Sequence, residues 1–209
     1  MPMSLRENII HESQKLFSLN GFSNTGINEI IQASGTSKGG FYNHFSSKED
    51  LFFEVLAESQ TIWREKVLTS INEVENPTEK ITQILRNYRD QYLKDTENFP
   101  GGCIFITFSV ELDDTRPHLV NEIHKGFEGF KALLRELLDE AVEIGELPRD
   151  LNTTTVAEML FTGMLGASVL YGVKKDSSTL ECSIDSLIEY LSILGGKEVL
   201  NHVRDDKAA

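Results

Sequence analysis

Gly35-Thr36-Ser37-Lys38-Gly39-Gly40-Phe41-Tyr42-Asn43-His44-Phe45 is the stretch on which the reading of this chain turns. Gly35 relieves strain in a tight turn, and Ser37 stands where its hydroxyl either caps the next helix or reaches a phosphate. Phe41 and Phe45, at i and i+4, share one face of that helix and turn to a core. Lys38, Tyr42, Asn43 and His44 are then left toward solvent or a partner surface. Two glycines opening a helix barely two turns long cost roughly 1 kcal/mol each relative to alanine. Packing does not explain that expense, whereas close approach to a surface does.

Reading outward, Ser4-Leu5-Arg6-Glu7 is a capping box, and Leu5, Ile9, Ile10, Leu16 and Phe17 follow at helical spacing, predicting a helix over about 4–19 that Asn20-Gly21 stops. Thr25 is expected to cap a short second helix carrying Ile27, Ile30 and Ile31 and ending before Gly35. A second box, Ser46-Ser47-Lys48-Glu49, opens a helix of about seven turns whose apolar positions run from Leu51 to Ile71. Asn76-Pro77 starts another through Tyr88 and Tyr92, with Pro77 at the first helical position, and Pro100-Gly101-Gly102 breaks it. An apolar run, Cys103 to Leu112, precedes an acidic turn at Asp113-Asp114. Long helical patterns over about 117–144, 152–173 and, from a box at Ser178-Thr179-Leu180-Glu181, to Leu194 complete the chain, with a frayed tail from Asp205. No alternating strand pattern survives, so the expectation is an all-α fold of about nine helices.

The composition of the 209 residues, 40% hydrophobic and 25% charged, is that of an ordinary globular protein. The formal charge of −13 speaks at first against nucleic acid. Its distribution answers that objection. Residues 1–50 hold Arg6, Lys15, Lys38 and Lys48 against Glu7, Glu12, Glu29, Glu49 and Asp50, a net of −1, so the acidity belongs to the rest. A near-neutral N-terminal module can still present a locally basic face. The first residues lack the features of a signal peptide, and no run approaches eighteen or so uninterrupted apolar residues, so a cytoplasmic protein without a membrane segment is expected. Cys103 and Cys182 form no CxxC and suit a reducing compartment as free thiols.

Two short helices joined by a tight turn and preceded by a third make a helix-turn-helix, whose second helix can enter the major groove of double-stranded DNA. Thr25, Ile30, Ala33-Ser34-Gly35, Ser37-Lys38-Gly39, Phe41-Tyr42-Asn43-His44-Phe45 and Lys48-Glu49-Asp50-Leu51 stand in one fixed register, and the first 55 or so residues closely resemble the TetR/AcrR family signature. The resemblance implies a dimeric repressor, with a three-helix DNA-binding domain over 1–50 and a helical ligand-binding and dimerisation domain over 51–209. It also implies that Thr25, Ser37, Lys38, Gly40, Tyr42, His44 and Lys48 touch operator DNA, mainly its phosphates. Asn43 joins that set as an exposed donor on the third helix, and Lys48 brings a charge beside the N-terminal amides of the fourth. Gly26 and Gly40 depart from the family, which often has Thr, or Thr or Ser, at those positions.

Gly102-Cys103-Ile104 with Ser109-Val110-Glu111-Leu112 resembles the sixth-helix region of a subgroup that includes the N-ethylmaleimide-responsive repressors, and Gly145-Glu146-Leu147 with Asp150 resembles the family's link into its eighth helix. Two readings of Cys103 follow: a thiol that senses electrophiles or oxidants, its pKa lowered by a helix start after Gly101-Gly102, or a small buried hydrophobe beside Ile104 and Phe105. Trp63, Tyr88, Tyr92, Phe105, Phe108, Phe127, Phe130, Phe161 and Tyr171, with Cys103, are the candidates to line a pocket for an apolar or aromatic inducer, although each is individually a plausible core residue. Met159, Leu160, Met164, Leu165 and Val169, then Ile184, Leu187, Ile188, Leu191 and Leu194, form stripes broad enough for a homodimer through the last two long helices. Gly163, Gly166 and Ala167 would allow close approach there. His118 and His124 are six residues apart and fall on different helix faces, so no metal site is expected despite Asp113 and Asp114 nearby, and no cofactor motif is present. An enzyme finds no triad to support it, and an adaptor with a degenerate helix-turn-helix is the remaining alternative.

Overall fold

The computed structural model describes residues 3–112 and 116–196. Among them it contains nine α-helices and no strand: α1 Leu5–Asn20, α2 Ile27–Ala33, α3 Lys38–Tyr42, α4 Lys48–Val67, α5 Pro77–Asn87, α6 Ile104–Leu112, α7 Pro117–Glu143, α8 Thr153–Lys174 and α9 Ser177–Leu194. The expected turn at Asp113-Asp114 and the tail from Asp205 lie outside the described residues.

The Ser4 box closes as expected: the Ser4 N–H donates to Glu7 Oε2 at 2.7 Å and the Glu7 N–H to Ser4 Oγ at 3.3 Å. Three caps differ from expectation. Thr25 does not cap α2, because its fully buried side chain donates from Oγ1 to the Gly21 carbonyl at 2.7 Å, and Gly26 takes the cap position. At α4 the cap is Ser47, whose Oγ accepts from the Asp50 N–H at 3.0 Å, while Ser46 bonds the Asp50 carboxylate. At α9 Asp176 outcompetes Ser178, its carboxylate accepting from the N–H groups of both Ser178 and Thr179.

Helix α4 stops at Val67, short of the seven expected turns. Ser70 adopts a left-handed conformation (φ 59°), and the Asn87 side-chain amide donates to the Val67 and Thr69 carbonyls at 3.1 and 2.9 Å, satisfying groups a helix end leaves open. Leu68 and Ile71 therefore serve the turn into α5. Residues Tyr88–Tyr92 continue α5 as a π turn, closed by the Leu93 N–H to the Tyr88 carbonyl at 2.9 Å. That wider turn points Tyr88 and Tyr92 into the core together, their rings stacked at 5.6 Å.

The core runs unbroken from α1 to α9. Its N-terminal end is an aromatic cluster in which Phe52 of α4 meets Phe22 at 5.3 Å and Phe108 of α6 at 4.7 Å, while Phe17 of α1 meets Phe108 at 6.0 Å. Beside it Gly101 lies against the α1 backbone so closely that an added Cβ would fall on the Ser18 carbonyl. Helix α8 is, by length and composition, apolar enough to cross a membrane. Its apolar run is interrupted by Glu158, Thr162 and three glycines, so it holds no eighteen uninterrupted apolar residues. Its Val156, Leu160, Met164 and Ala167 are buried in the core.

Candidate DNA-recognition surface and ligand cavity

The turn between α2 and α3 is a Schellman closure. Gly35 (φ 61°) takes the left-handed position, with the Thr36 N–H bonded to the Ile31 carbonyl at 3.1 Å and the Gly35 N–H to that of Gln32 at 3.2 Å. Asn8 of α1 donates to the Ser34 carbonyl at 2.8 Å, fixing the end of α2 to the first helix. The Ser37 hydroxyl caps α3 by accepting from the Gly40 N–H at 3.0 Å. Phe41 and Phe45 are buried, and Ser37, Lys38, Gly39, Tyr42, Asn43 and His44 lie exposed on one continuous surface. The two glycines separate. A Cβ on Gly40 would collide with the Thr36 hydroxyl, so packing explains that glycine after all, whereas Gly39 has nothing nearer than the Ser37 hydroxyl at 3.9 Å. Only Gly39 keeps the argument for close approach to a surface.

Two members of the expected DNA-contacting set turn inward. Thr25 is fully buried. Lys48 extends back under the α1–α2 loop, its Nζ donating to the carbonyls of Phe22 at 2.8 Å, Thr25 at 2.9 Å and Ser23 at 3.4 Å and lying 4.5 Å from the Phe22 ring centroid. Burial, and then the nearby Arg116 cation, lower its pKa. All three of these bonds lie within the protein and hold the α1–α2 loop against the start of α4.

The same loop is gripped from beyond α4. Glu111, near the end of α6, accepts from the N–H groups of Phe22 at 2.6 Å and Ser23 at 2.5 Å. Arg116 pairs with Glu49 and places its guanidinium 5.4 Å from the Phe22 ring, and His118 Nε2 meets Glu49 Oε2 at 3.1 Å. The pKa of Glu49 is lowered by these partners, the His118 hydrogen bond foremost. Sequence reading missed this joint, since Glu111 is 89 residues from Phe22 and Arg116 is 67 from Glu49. The SVEL run containing Glu111 was its only visible signal.

A cavity of about 310 Å³ lies between α4, the α5 π turn, α6, α7 and α8. Among the candidates Trp63, Tyr88, Cys103, Phe105, Phe127, Phe130 and Phe161 line it, joined, unforeseen, by Gln60, Arg64 and Lys125. Three expected members do not line it. Tyr92 is packed between Tyr88 and Phe99, Phe108 points to Phe52 and the helix-turn-helix, and Tyr171 lies under the Lys175 ammonium at 5.3 Å. Cys103 is buried, accepts from the Tyr92 hydroxyl at 3.5 Å, and has its pKa raised, because desolvation outweighs the amides of Phe105 and Ile106 at the start of α6. It is a neutral thiol, not the low-pKa thiolate its place after Gly101-Gly102 suggested.

The apolar stripes of α8 and α9 divide. Leu160, Met164, Ala167, Ile184 and Leu191 are buried in the protein's own core, and Gly163 serves the same packing, since its Cβ would press on Leu187 at 2.7 Å. Val169, Leu170, Val173 and Ile193 are exposed, and Gly166 faces open space beside them.

A three-helix module with an exposed recognition helix, joined to a helical domain enclosing an aromatic cavity, defines a one-chain DNA-binding regulator. Residues 9–55 match the model for bacterial regulatory proteins of the tetR family, and residues 77–187 match that for the tetracyclin repressor-like C-terminal domain. The chain is 24% identical over 188 residues to the HTH-type transcriptional repressor DhaR of Mycobacterium sp. (strain GP1), covering 90% of this chain and 92% of that one. It is 25% identical over 185 residues to the HTH-type transcriptional repressor NemR of Escherichia coli (strain K12), covering 84% and 88%. Among solved structures, a TetR transcriptional regulator from Chloroflexus aurantiacus J-10-FL superposes with a TM-score of 0.83 at 26% identity, over 90% of this chain and 94% of that one. The chain belongs to the TetR family, whose members are transcriptional regulators rather than enzymes and bind operator DNA as dimers.

Proposed function

We propose that this protein is a dimeric repressor whose α3 reads a palindromic operator and which lets go when a small apolar or aromatic molecule fills the cavity. The observation that carries the reading is that α6 touches both sites: Cys103 and Phe105 at its start line the cavity, and Glu111 near its end grips the loop that sets the helix-turn-helix. A ligand shifts an equilibrium only through differential affinity for two states. Occupying the cavity favours positions of α6 that re-aim the two α3 helices away from successive major grooves about 34 Å apart. Residues 1–50 act as the DNA-binding unit and the rest as the sensing and pairing unit, hinged at this joint. The exposed apolar faces of α8 and α9 pair across a two-fold axis, as a dyad operator requires.

Ser37, Lys38, Tyr42, Asn43 and His44 carry the DNA contacts, with Gly39 leaving the backbone of α3 open to close approach. Electrophile sensing through Cys103 is the weaker reading, because burial and a raised pKa keep the thiol protonated. Fluorescence anisotropy of a duplex from the neighbouring promoter, titrated over a range of salt, tests the proposal. Saturable, sequence-selective binding that Tyr42→Ala weakens at unchanged thermal stability supports it. Binding no better than to random duplex, at every salt concentration and for every duplex selected from random pools, refutes it.

A further inference from the structure

The cavity is lined by positive charge and by no negative charge. Not one of its described lining residues is Asp or Glu, although the chain holds 33 acidic residues against 20 Lys and Arg. Its charged members are Arg64 of α4 and Lys125 of α7, both exposed, so they stand where the cavity opens to solvent between those two helices. Lys125 is paired with Glu122 at 2.6 Å. The Arg64 side chain has no ion-pair or hydrogen-bond partner among the described residues, and neither does the amide of Gln60, one turn before it on the same face of α4. A Cβ built on Gly126 would stand 3.5 Å from Gln60 Nε2, so that amide reaches across the opening to α7.

Donors gathered at one opening suit an anion. A carboxylate accepts two bonds from a guanidinium, and at a solvent edge neither charge bears the full cost of burial. Trp63, Phe105, Phe130 and Phe161 supply flat apolar walls behind that opening. On the α7 side the wall includes Gly126 and Gly129. Glycine inside a helix is less stable than alanine, and packing within the protein requires neither: the 3.5 Å approach at Gly126 is an ordinary contact, and a Cβ on Gly129 would meet nothing within 4 Å. Both leave the backbone of α7 bare to whatever fills the cavity. The volume, about 310 Å³, is at the small end for ligand sites and limits the occupant to one or two rings. We propose that the cavity takes a one- or two-ring aromatic carboxylate, its ring against Gly126 and Gly129 and its carboxylate at the opening on Arg64, with Gln60 and Lys125 beside it. This rests on the reading of the cavity as the ligand site.

Trp63 is the single tryptophan and lines the cavity, so its fluorescence reports occupancy in the full-length protein. Three compounds of one shape, 3-phenylpropanoate, 3-phenylpropanamide and 3-phenylpropylamine, are titrated into the wild type, Arg64→Gln and Gly129→Ala. The wild type should bind the acid about 10-fold tighter than the amide, and the amine most weakly. That preference should shrink as salt is raised, because Arg64 is exposed. Arg64→Gln should cut it to about 2-fold or less while leaving affinity for the amide unchanged. Gly129→Ala should melt no lower than the wild type, since its Cβ meets no protein atom, yet weaken the acid and the amide alike by several-fold. Equal wild-type affinity for acid and amide, tightest binding of the amine, or a preference for the acid that survives Arg64→Gln overturns the inference while leaving the cavity a ligand site. Undiminished binding to Gly129→Ala overturns the placement of the ring on α7. Failure of all three compounds to bind the wild type overturns both the inference and the reading of the cavity.

Discussion

Replacing Glu111 by alanine removes the carboxylate that accepts the Phe22 and Ser23 N–H groups at 2.6 and 2.5 Å, and with it the polar grip of α6 on the α1–α2 loop. Charge-assisted bonds of this kind contribute about 1.5–3 kcal/mol each when buried. Glu111 is half-buried, and the freed amides can find water, so about 1 kcal/mol each is the reasonable share, or about 2 kcal/mol in all. For a chain of this size that corresponds to a fall in Tm of about 4–8 °C. The packing of Phe17, Phe52 and Phe108 stays, so the variant should fold and dimerise. Its distinguishing behaviour is in coupling: anisotropy should show retained operator binding that a cavity ligand no longer releases, because α6 can move without moving the loop. Calorimetry and anisotropy on the same preparation check both parts. A midpoint within about 1 °C of wild type together with undiminished ligand release would refute the argument that this carboxylate joins the two sites.

Other substitutions test neighbouring steps. Gly39→Ala should raise stability by up to about 1 kcal/mol, since the position has open space and alanine favours helix, yet weaken operator binding several-fold where α3 closes on DNA; a parallel melt and titration separates the two effects. Gly101→Ala should lower thermal stability severely, because its Cβ would occupy the Ser18 carbonyl, and normal melting would show that the loop is free to shift. Acid sensitivity should depend on Asp95. Burial acts to raise its pKa, but hydrogen bonds from Asn98 and the Lys66 ammonium at 3.1 Å prevail and hold it below the ordinary 3.8. The folded state thus binds fewer protons than the unfolded chain in that window, so the stabilisation is complete above the unfolded value and fades as pH falls through the folded one. Urea titrations from pH 6 down to about pH 3 should show a shallower loss for Asp95→Asn than for wild type.

Local chemistry placed most helix boundaries, because caps, prolines and glycines act within a few residues of themselves. Where several cap candidates stand side by side, as at Ser46 and Ser47 or Asp176 and Ser178, the local pattern does not single out the residue that caps. The length of α4 was overestimated for a similar reason: Leu68 and Ile71 keep the helical period, but Asn87, twenty residues beyond Val67, closes the helix end.

The sequence by itself determined the all-helical fold, the helix-turn-helix register and the exposed face of α3, since each rests on spacing along one helix or one turn. Only the tertiary structure placed the side chains of Thr25 and Lys48 against the α1–α2 loop, because a cation reads the same in sequence whether it faces solvent or three carbonyls of a loop folded back on it. It also decided which aromatics enclose the cavity. Tyr88 and Tyr92 are four residues apart on a face that an ordinary helix would present together. Both point into the core, but the packing of Tyr92 against Phe99 leaves Tyr88 lining the cavity and Tyr92 sealed behind it, through contacts that no local pattern records.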